Sequence, residues 1–359
     1  MNKKTNYHEQ LKIEHTLKLR EQLAQLPIYI KQFFRGKETS TSNRTRIGYA
    51  YDLNIFFHFL KETKPELHQV EIKDIPLSFL ESLTIFDIED YQDYLKIYHS
   101  ATTGIQQTNG ERGIARKLSA LRSLFSYLYK RGMITNDPTT LLEMPKIHDK
   151  VIVQLEQEEV ASLLQYMENC ADDLSVRQRI SYEKTKYRDI ALITLMLGTG
   201  IRVSECVGLD IEDVDFQNCG IHITRKGGNE MIVYFSEEVK HALEQYMQQR
   251  EKIIAQEGHE SALFLSMRKK RICVDAVSDL VKKYTSKITK NKTITPHKLR
   301  STYGTLLYQN TGDIYLVADV LGHKNVNTTK KHYAAIKDSR RKAAATAFSL
   351  RQSDEQLPE

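Results

Sequence analysis

Residues 294–313 read ITPHKLRSTYGTLLYQNTGD, and this stretch carries start and stop signals for one helix. Thr295 suits the N-cap position and Pro296 suits the first helical position, where the missing N–H is not needed. Gly312 suits the left-handed residue that commonly ends a helix. The stretch therefore predicts a helix with a defined beginning and end.

His297 and Arg300 both fall near the N-terminus of this predicted helix, on one face. Free backbone N–H groups and the helix dipole make such an end a site for anions. The arginine fork matches two oxygens of one phosphate group. The pair therefore indicates a phosphate site, although two polar residues on an exposed turn would give the same pattern.

A second polar pair lies upstream, in residues 199–209, TGIRVSECVGL. Arg202 and Glu205 are three positions apart, so a short helix would place them on one face. A carboxylate there can hold a guanidinium in a fixed orientation. An ordinary surface ion pair is the alternative.

The residues after Gly312 continue with DIYLVADVLGHKNVNTTKKHY. Asp313 is predicted to cap a short helix that ends at Gly322, and His323 follows directly. Tyr333 falls in a further predicted helix. Taken alone, Tyr333 would be a packed tyrosine with an exposed hydroxyl.

Residues 219–236, CGIHITRKGGNEMIVYFS, alternate apolar and polar positions on both sides of KGGN, which predicts a β-hairpin. Lys226 lies at its tip. The glycines beside Lys226 would let the tip enter a groove. A solvated turn lysine is the alternative.

The first 145 residues show helical spacing and no strand pattern, so we expect an all-helical first domain. One helix, capped by Ser42, begins near Arg44 and Arg46. Another, with an apolar stripe through residues 114–128, carries further basic residues that we expect off the stripe: Arg112, Arg116, Lys117 and Arg122. These six residues are candidate duplex contacts, although a solvated charged face would fit equally.

The fold class expected is mainly α, with an all-helical domain followed by a mixed α+β domain that contains a small hairpin or sheet. A segment with two prolines and no periodicity separates the two. The expected division is a helical extension at 1–38, a helical domain at 39–145, a linker at 146–154, a second domain at 155–349 and a flexible tail at 350–359.

The composition excludes few functions but favours some. The 359 residues carry a formal net charge of +6, which is compatible with nucleic acid without requiring it. The four cysteines form no C-x-x-C pair, and neither a signal peptide nor a membrane span is visible. We therefore expect a cytoplasmic protein with no metal site and no cofactor.

Each signal is weak alone, but together they supply what phosphodiester cleavage without a metal requires. Two arginines can neutralise the non-bridging oxygens as charge develops. A tyrosine phenol can act as nucleophile if its proton is removed or shared, since its free pKa is near 10. A lysine such as Lys226 can protonate the leaving alkoxide.

The order TGIRVSE, TRKGG, HKLR, LGH and Y resembles the tyrosine recombinase family, of the phage-integrase or Xer type. The resemblance covers residues 155–349, and the helical first domain resembles the family's core-binding domain. It implies a set of catalytic residues, with Glu205 in support: Arg202, Lys226, His297, Arg300, His323 and Tyr333. His323 and Tyr333 lie ten residues apart, one more than is usual in the family.

The resemblance also implies an activity. A recombinase of this family cleaves and rejoins DNA at specific sites through a 3′-phosphotyrosyl intermediate and needs no ATP. Its expected partner is a double-stranded recombination site, bound by a dimer, with a tetramer in synapsis. The segment after Tyr333 is expected to dock on a neighbouring protomer, although packing within the same chain is equally compatible with the sequence.

Two other functions stay open at this point. A type IB topoisomerase would use nearly the same residues without a defined site, and a non-catalytic DNA-binding regulator could share the scaffold. The sequence does not separate dimer resolution from integration and excision of a mobile element. Nor does it give the target site, the need for a partner recombinase, or the role of residues 1–38.

Overall fold

The computed structural model of the chain describes residues 7–100, 103–148, 153–225, 229–322 and 326. The chain divides into two compact units, Met1–Lys150 and Val151–Glu359. Each unit has its own architecture.

The first unit is built of helices with one short β-ribbon. Its α-helices are α1 (Tyr7–Ala24), α2 (Ile28–Gly36), α3 (Asn43–Thr63), α4 (Leu77–Ser82), α5 (Ile85–Tyr94) and α6 (Glu111–Lys130). Its strands are β1 (Ile97–His99) and β2 (Gln106–Thr108), and short 3₁₀ helices lie at Pro65–Leu67, Ile72–Asp74 and Pro138–Leu141.

Helix α3 begins where the sequence predicts. The Ser42 side chain accepts a hydrogen bond from the Thr45 backbone N–H, which satisfies one of the free donors at the helix start. Its apolar face and that of α6 form the core of the unit, with Phe56, Phe57 and Phe125 fully buried. Burial of one such side chain stabilises the fold by roughly 1.5–3 kcal/mol.

The β-ribbon corrects the expectation of an all-helical first domain. Strands β1 and β2 pair antiparallel, with Ile97 opposite Thr108 and His99 opposite Gln106. Both strands are only three residues long and mostly exposed, so they lack the apolar alternation by which a strand is recognised.

Helices α1 and α2 contribute to the same core as α3 and α6. Leu19, Leu26 and Phe33 are buried within it. Helix α2 alone buries four residues over its nine positions. Residues on both sides of the expected boundary at residue 38 therefore share one hydrophobic core.

The second unit combines seven helices with one small sheet in its described part. The helices are α7 (Gln157–Asn169), α8 (Val176–Thr199), α9 (Val203–Gly208), α10 (Glu237–Arg250), α11 (Val274–Ile288), α12 (Pro296–Thr311) and α13 (Ile314–Leu321). The strands are β3 (Val214–Asp215), β4 (Gly220–Thr224) and β5 (Glu230–Tyr234), and 3₁₀ helices lie at Cys170–Asp173 and Ile211–Asp213.

Helix α8 is the centre of this unit. It packs against α10 and α12, and most of its second half is buried. The sheet has the order β3-β4-β5 and is antiparallel throughout, with His222 opposite Ile232. The predicted hairpin is confirmed, and β3 is added at its edge.

The predicted caps of α12 and α13 are confirmed in position. Pro296 opens α12 and Gly312 follows its end with φ of 71°. Asp313 caps α13, since its side chain accepts hydrogen bonds from the backbone N–H groups of Tyr315 and Leu316. The chain is thus mainly α with small antiparallel sheets, as predicted, and none of its described helices is both long and apolar enough to cross a membrane.

Candidate active site

Four of the seven residues in the expected catalytic set lie in the described part of the second unit: Arg202, Glu205, His297 and Arg300. The other three, Lys226, His323 and Tyr333, lie outside the described residues.

Arg202 and Glu205 form the ion pair that their spacing predicts. Glu205 Oε1 accepts from Arg202 Nη1 at 2.7 Å, and Glu205 Oε2 accepts from the Arg202 backbone N–H at 2.8 Å. The Glu205 residue is 6% exposed, whereas the Arg202 side chain is 35% exposed. A buried carboxylate thus fixes a guanidinium that solvent can reach.

Gly200 allows the segment before Arg202 to lie against α12. Its φ is 62°, in the left-handed region, and a Cβ at this position would lie 2.4 Å from Cδ1 of Tyr303. Any larger residue would push the end of α8 away from α12. The close approach also brings the Gly200 carbonyl to Arg300.

Arg300 is buried, at 3% exposure, and its guanidinium connects the C-terminal ends of two helices, α8 and α13. Nη1 donates to the Gly200 carbonyl, and Nη2 donates to the Leu321 carbonyl in the last turn of α13. Both carbonyls belong to helix C-termini, where partial negative charge favours a cation. Arg300 is thus a fixed cation that joins α8, α12 and α13, and not a polar residue on an exposed turn.

Arg225, which the sequence did not single out, lies at the same helix end. Its Nη2 donates to the Val320 carbonyl at 2.7 Å. Burial lowers the pKa of the Arg225 guanidinium; the Glu205 and Asp319 carboxylates oppose this shift, and the Arg202 guanidinium adds to it. No pattern in the sequence indicates that this side chain reaches α13.

His297 lies in the first turn of α12, one turn before Arg300, and is exposed. The structure therefore places Arg225 and Arg300 at the C-terminus of α13. Arg202, held by Glu205, follows two residues after Gly200, whose carbonyl accepts from Arg300, and His297 lies on the same helix as Arg300. Arginines fixed in advance can stabilise the charge that develops on a phosphate during cleavage. The cluster can serve as such an anion site.

The first unit requires two corrections among the candidate DNA contacts. Lys117 is buried and donates to Asn109 Oδ1 at 2.7 Å. Arg46 is also buried, with an ion pair to Glu38 at 3.2 Å. Neither side chain lies on an exposed basic face, contrary to the expectation. Both side chains donate to partners within the protein, Lys117 to Asn109 and Arg46 to Glu38.

The other basic candidates differ in exposure. Arg44 and Arg112 are exposed, whereas Arg122 is partly buried and donates to the Leu142 carbonyl at 2.7 Å. Arg116 is 52% exposed and pairs with the buried Asp52. Burial raises the pKa of the Asp52 carboxyl to about 6, and Arg116 opposes this shift. Of the six candidates, the exposed ones are therefore Arg44, Arg112 and Arg116.

Two family models match the chain. The model of the phage integrase family matches residues 153–340, and the model of the phage integrase N-terminal SAM-like domain matches residues 30–132. The first match includes all seven residues of the expected catalytic set.

Curated relatives match over nearly the whole chain. Tyrosine recombinase XerC of Caldanaerobacter subterraneus subsp. tengcongensis is 32% identical over 339 residues, which cover 91% of this chain and 88% of that protein. Tyrosine recombinase XerS of Streptococcus gordonii is 31% identical over 347 residues, which cover 89% of this chain and 95% of that protein.

Solved structures share the fold. XerH site-specific recombinase bound to a palindromic difH substrate, in a post-cleavage complex, has a TM-score of 0.61 at 20% identity and covers 89% of this chain and 97% of its own. The Tn1549 transposon integrase in complex with circular intermediate DNA has a TM-score of 0.60 at 22% identity and covers 85% of this chain and 93% of its own.

Proposed function

The chain belongs to the phage integrase family of tyrosine recombinases, and from this premise we propose that it cleaves and rejoins double-stranded DNA at a specific site with Tyr333 as nucleophile. The reaction is two successive exchanges at one phosphorus. Either resolution of chromosome or plasmid dimers or integration and excision of a mobile element would use this chemistry.

In the first exchange the Tyr333 oxygen attacks a backbone phosphorus. A bond forms between the phenol oxygen and phosphorus, and the bond between phosphorus and the 5′-oxygen breaks. The phenol proton leaves to a base, and the departing 5′-oxygen takes a proton from an acid. The product is a 3′-phosphotyrosyl link with a free 5′-hydroxyl. Attack by a second 5′-hydroxyl reverses these steps, so no ATP is consumed.

The observation that carries this proposal is the convergence of arginines at the C-terminus of α13. Arg300 donates to the Leu321 carbonyl there, and Arg202 is oriented nearby by the buried Glu205. These two guanidiniums would hold the non-bridging oxygens. His323 follows Gly322 directly in the sequence, so the chain leads from this cluster into the segment that contains Tyr333.

The remaining roles are those that the resemblance to the family implies. Lys226 would protonate the leaving 5′-oxygen, His297 would assist proton transfer, and His323 would donate a hydrogen bond to the phosphate. Fixed cations would neutralise the charge of the phosphate, and the proposed reaction uses no metal or cofactor.

The finer organisation is also part of the proposal. An extension at 1–38 whose helices pack into the core of the DNA-binding domain at 39–145, a linker at 146–154, a catalytic domain at 155–349 and a tail at 350–359 would act in the cytoplasm. A dimer would bind one site and a tetramer would form in synapsis. The segment after Tyr333 would dock on a neighbouring protomer.

A nicked suicide substrate tests the function. The DNA site is first located by footprinting, and a nick is placed a few nucleotides from the scissile phosphate on its 5′-hydroxyl side. The short fragment released by cleavage diffuses away, so a covalent protein–DNA adduct should accumulate. Absence of any adduct would favour a non-catalytic regulator, and relaxation of plasmids that lack the site would favour a topoisomerase.

The salt dependence of DNA affinity tests whether the exposed candidate Arg112 contacts DNA. Arg112→Ala should weaken DNA binding and lower the slope of log affinity against log salt by about 1, because one phosphate contact is lost. Lys117→Met lies on the same helix and should leave this slope unchanged, because its amine is buried on Asn109. Fluorescence anisotropy over a range of salt concentrations measures both. An unchanged slope for Arg112→Ala would remove this residue from the interface.

A further inference from the structure

Arg225 lies where the β-hairpin stem gives way to its tip. Its backbone N–H donates to the Asn229 carbonyl at 2.7 Å, just beyond the paired residues Thr224 and Glu230. Lys226, the expected proton donor, is the next residue in the sequence. The backbone of Arg225 therefore belongs to the hairpin, and Arg225 is bonded directly to Lys226 in the sequence.

The Arg225 side chain leaves the hairpin and reaches the last turn of α13. Nη2 donates to the Val320 carbonyl at 2.7 Å, and Arg300 takes the next carbonyl, that of Leu321. Two neighbouring helix-end carbonyls are thus held by guanidiniums from two distant segments. The partial negative charge of a helix C-terminus makes both contacts favourable.

Gly322 provides the space that Arg225 occupies. A Cβ at this position would lie 1.1 Å from Nη1 and 2.3 Å from Cζ of Arg225. The guanidinium therefore lies directly against the Gly322 backbone, which has φ of 60°. Because a side chain at 322 would collide with the movable end of Arg225, it would displace this arginine while leaving its charge in the chain.

The contact also carries a desolvation cost. Arg225 Nε is buried and has no hydrogen-bond partner among the described residues. The pKa of the guanidinium is lowered, first by burial. A buried N–H without an acceptor typically opposes folding. A side chain needed only to stabilise the fold would be poorly placed here, which points to a task in the site.

We propose that Arg225 is a positioning residue that ties the hairpin stem to the C-terminus of α13, and so holds Lys226 in register with the phosphate held by Arg202 and Arg300. This inference rests on the proposed function. Loss of the tie would let the hairpin move away from the helix end. Proton transfer to the leaving 5′-oxygen would then slow, while phosphate binding by the other arginines would persist.

A substrate with sulfur in place of the bridging 5′-oxygen distinguishes help in protonating the leaving group from a direct phosphate contact or a general structural role. A thiolate leaves without prior protonation because a thiol has a pKa of about 8.5, far below that of an alcohol. Arg225→Ala and Gly322→Ala should each slow adduct formation on the oxygen substrate by roughly 10-fold to 100-fold. On the sulfur substrate both should react close to the wild-type rate. The double variant should be no slower than the slower single variant, since both changes break one contact.

Gly132→Ala is the matched control for the backbone strain of Gly322→Ala. Gly132 also has a left-handed conformation, with φ of 65°, but a Cβ there would meet nothing within 4 Å. It should lower stability by a similar amount and leave the rates on both substrates unchanged. Gly322→Ala alone still tests the proposal if Arg225→Ala does not fold.

Three results would overturn the proposal while leaving the function intact. Wild-type rates for Arg225→Ala on the oxygen substrate would show that the contact has no role in cleavage. An equal loss on both substrates would indicate a direct phosphate contact or a general structural role. Additive losses in the double variant would show that Arg225 and Gly322 act separately. Failure of the wild-type protein to form an adduct on either substrate would instead contradict the proposed function.

Discussion

Tyr333→Phe should abolish covalent attachment to DNA, with a fall in adduct formation on the order of 10⁴-fold or more, because no other group can replace the attacking oxygen. The variant removes one hydroxyl and keeps the ring. DNA affinity and thermal stability should therefore stay close to those of the wild type. The nicked substrate measures the adduct, and anisotropy measures binding on the same preparation.

The Phe variant separates the roles of this tyrosine. Loss of the adduct with retained binding is expected of a nucleophile. Loss of both would indicate a packing role, as for an ordinary tyrosine near a chain end. Cleavage and rejoining at full speed by the Phe variant would contradict the assignment of Tyr333.

Arg300→Ala should have the second largest effect, with two separable parts. Removal of one preorganised cation from the transition state typically lowers the rate by about 10²–10³. The variant also leaves the Gly200 and Leu321 carbonyls without their donor, at a cost to stability of about 1–3 kcal/mol for each. The rate is measured per folded molecule, with denaturation curves on the same samples.

Arg250 offers a matched control for the structural part. It is equally buried, lies in the same unit, and donates to the carbonyls of Ile253, Glu260 and Ala262. Arg250→Ala should lower stability by a comparable amount and leave the cleavage rate per folded molecule unchanged. If both variants lost the same fraction of their activity, Arg300 would have only a structural role.

Local signals predicted much of the fold. The start of α3 at Ser42 and the ends of α12 and α13 depend on caps and on left-handed glycines, which act within one turn of the chain. The hairpin could be predicted equally well, because its alternating apolar and polar residues and its turn residues are contiguous in the sequence. The Arg202–Glu205 pair followed from a spacing of three residues, although Arg202 precedes α9 as its N-cap instead of lying within the helix.

Other features depend on contacts between distant segments. Arg225 meets α13 across 95 residues of sequence, and Arg300 meets Gly200 across 100. No periodicity encodes such a contact. The β1–β2 ribbon was missed for a different reason, since its strands are too short and too polar to show a pattern.

The burial of Lys117 could have been predicted. It lies three residues after Ile114 and four before Leu121, within the spacing of the buried stripe of α6. Its charge suggested exposure, but Asn109, which is partly buried, offers an acceptor eight residues earlier. Position in the helical repeat was therefore a better guide than residue type.

The central claim is that the Tyr333 phenol oxygen attacks one phosphorus while fixed cations stabilise the charge on its phosphate oxygens. Mass spectrometry of the trapped adduct, after nuclease and trypsin digestion, tests this most directly. Residues 332–337, HYAAIK, should carry a nucleotide joined through the Tyr333 oxygen. A nucleotide found on a different residue, or an adduct that forms unchanged in the Phe variant, would contradict the account.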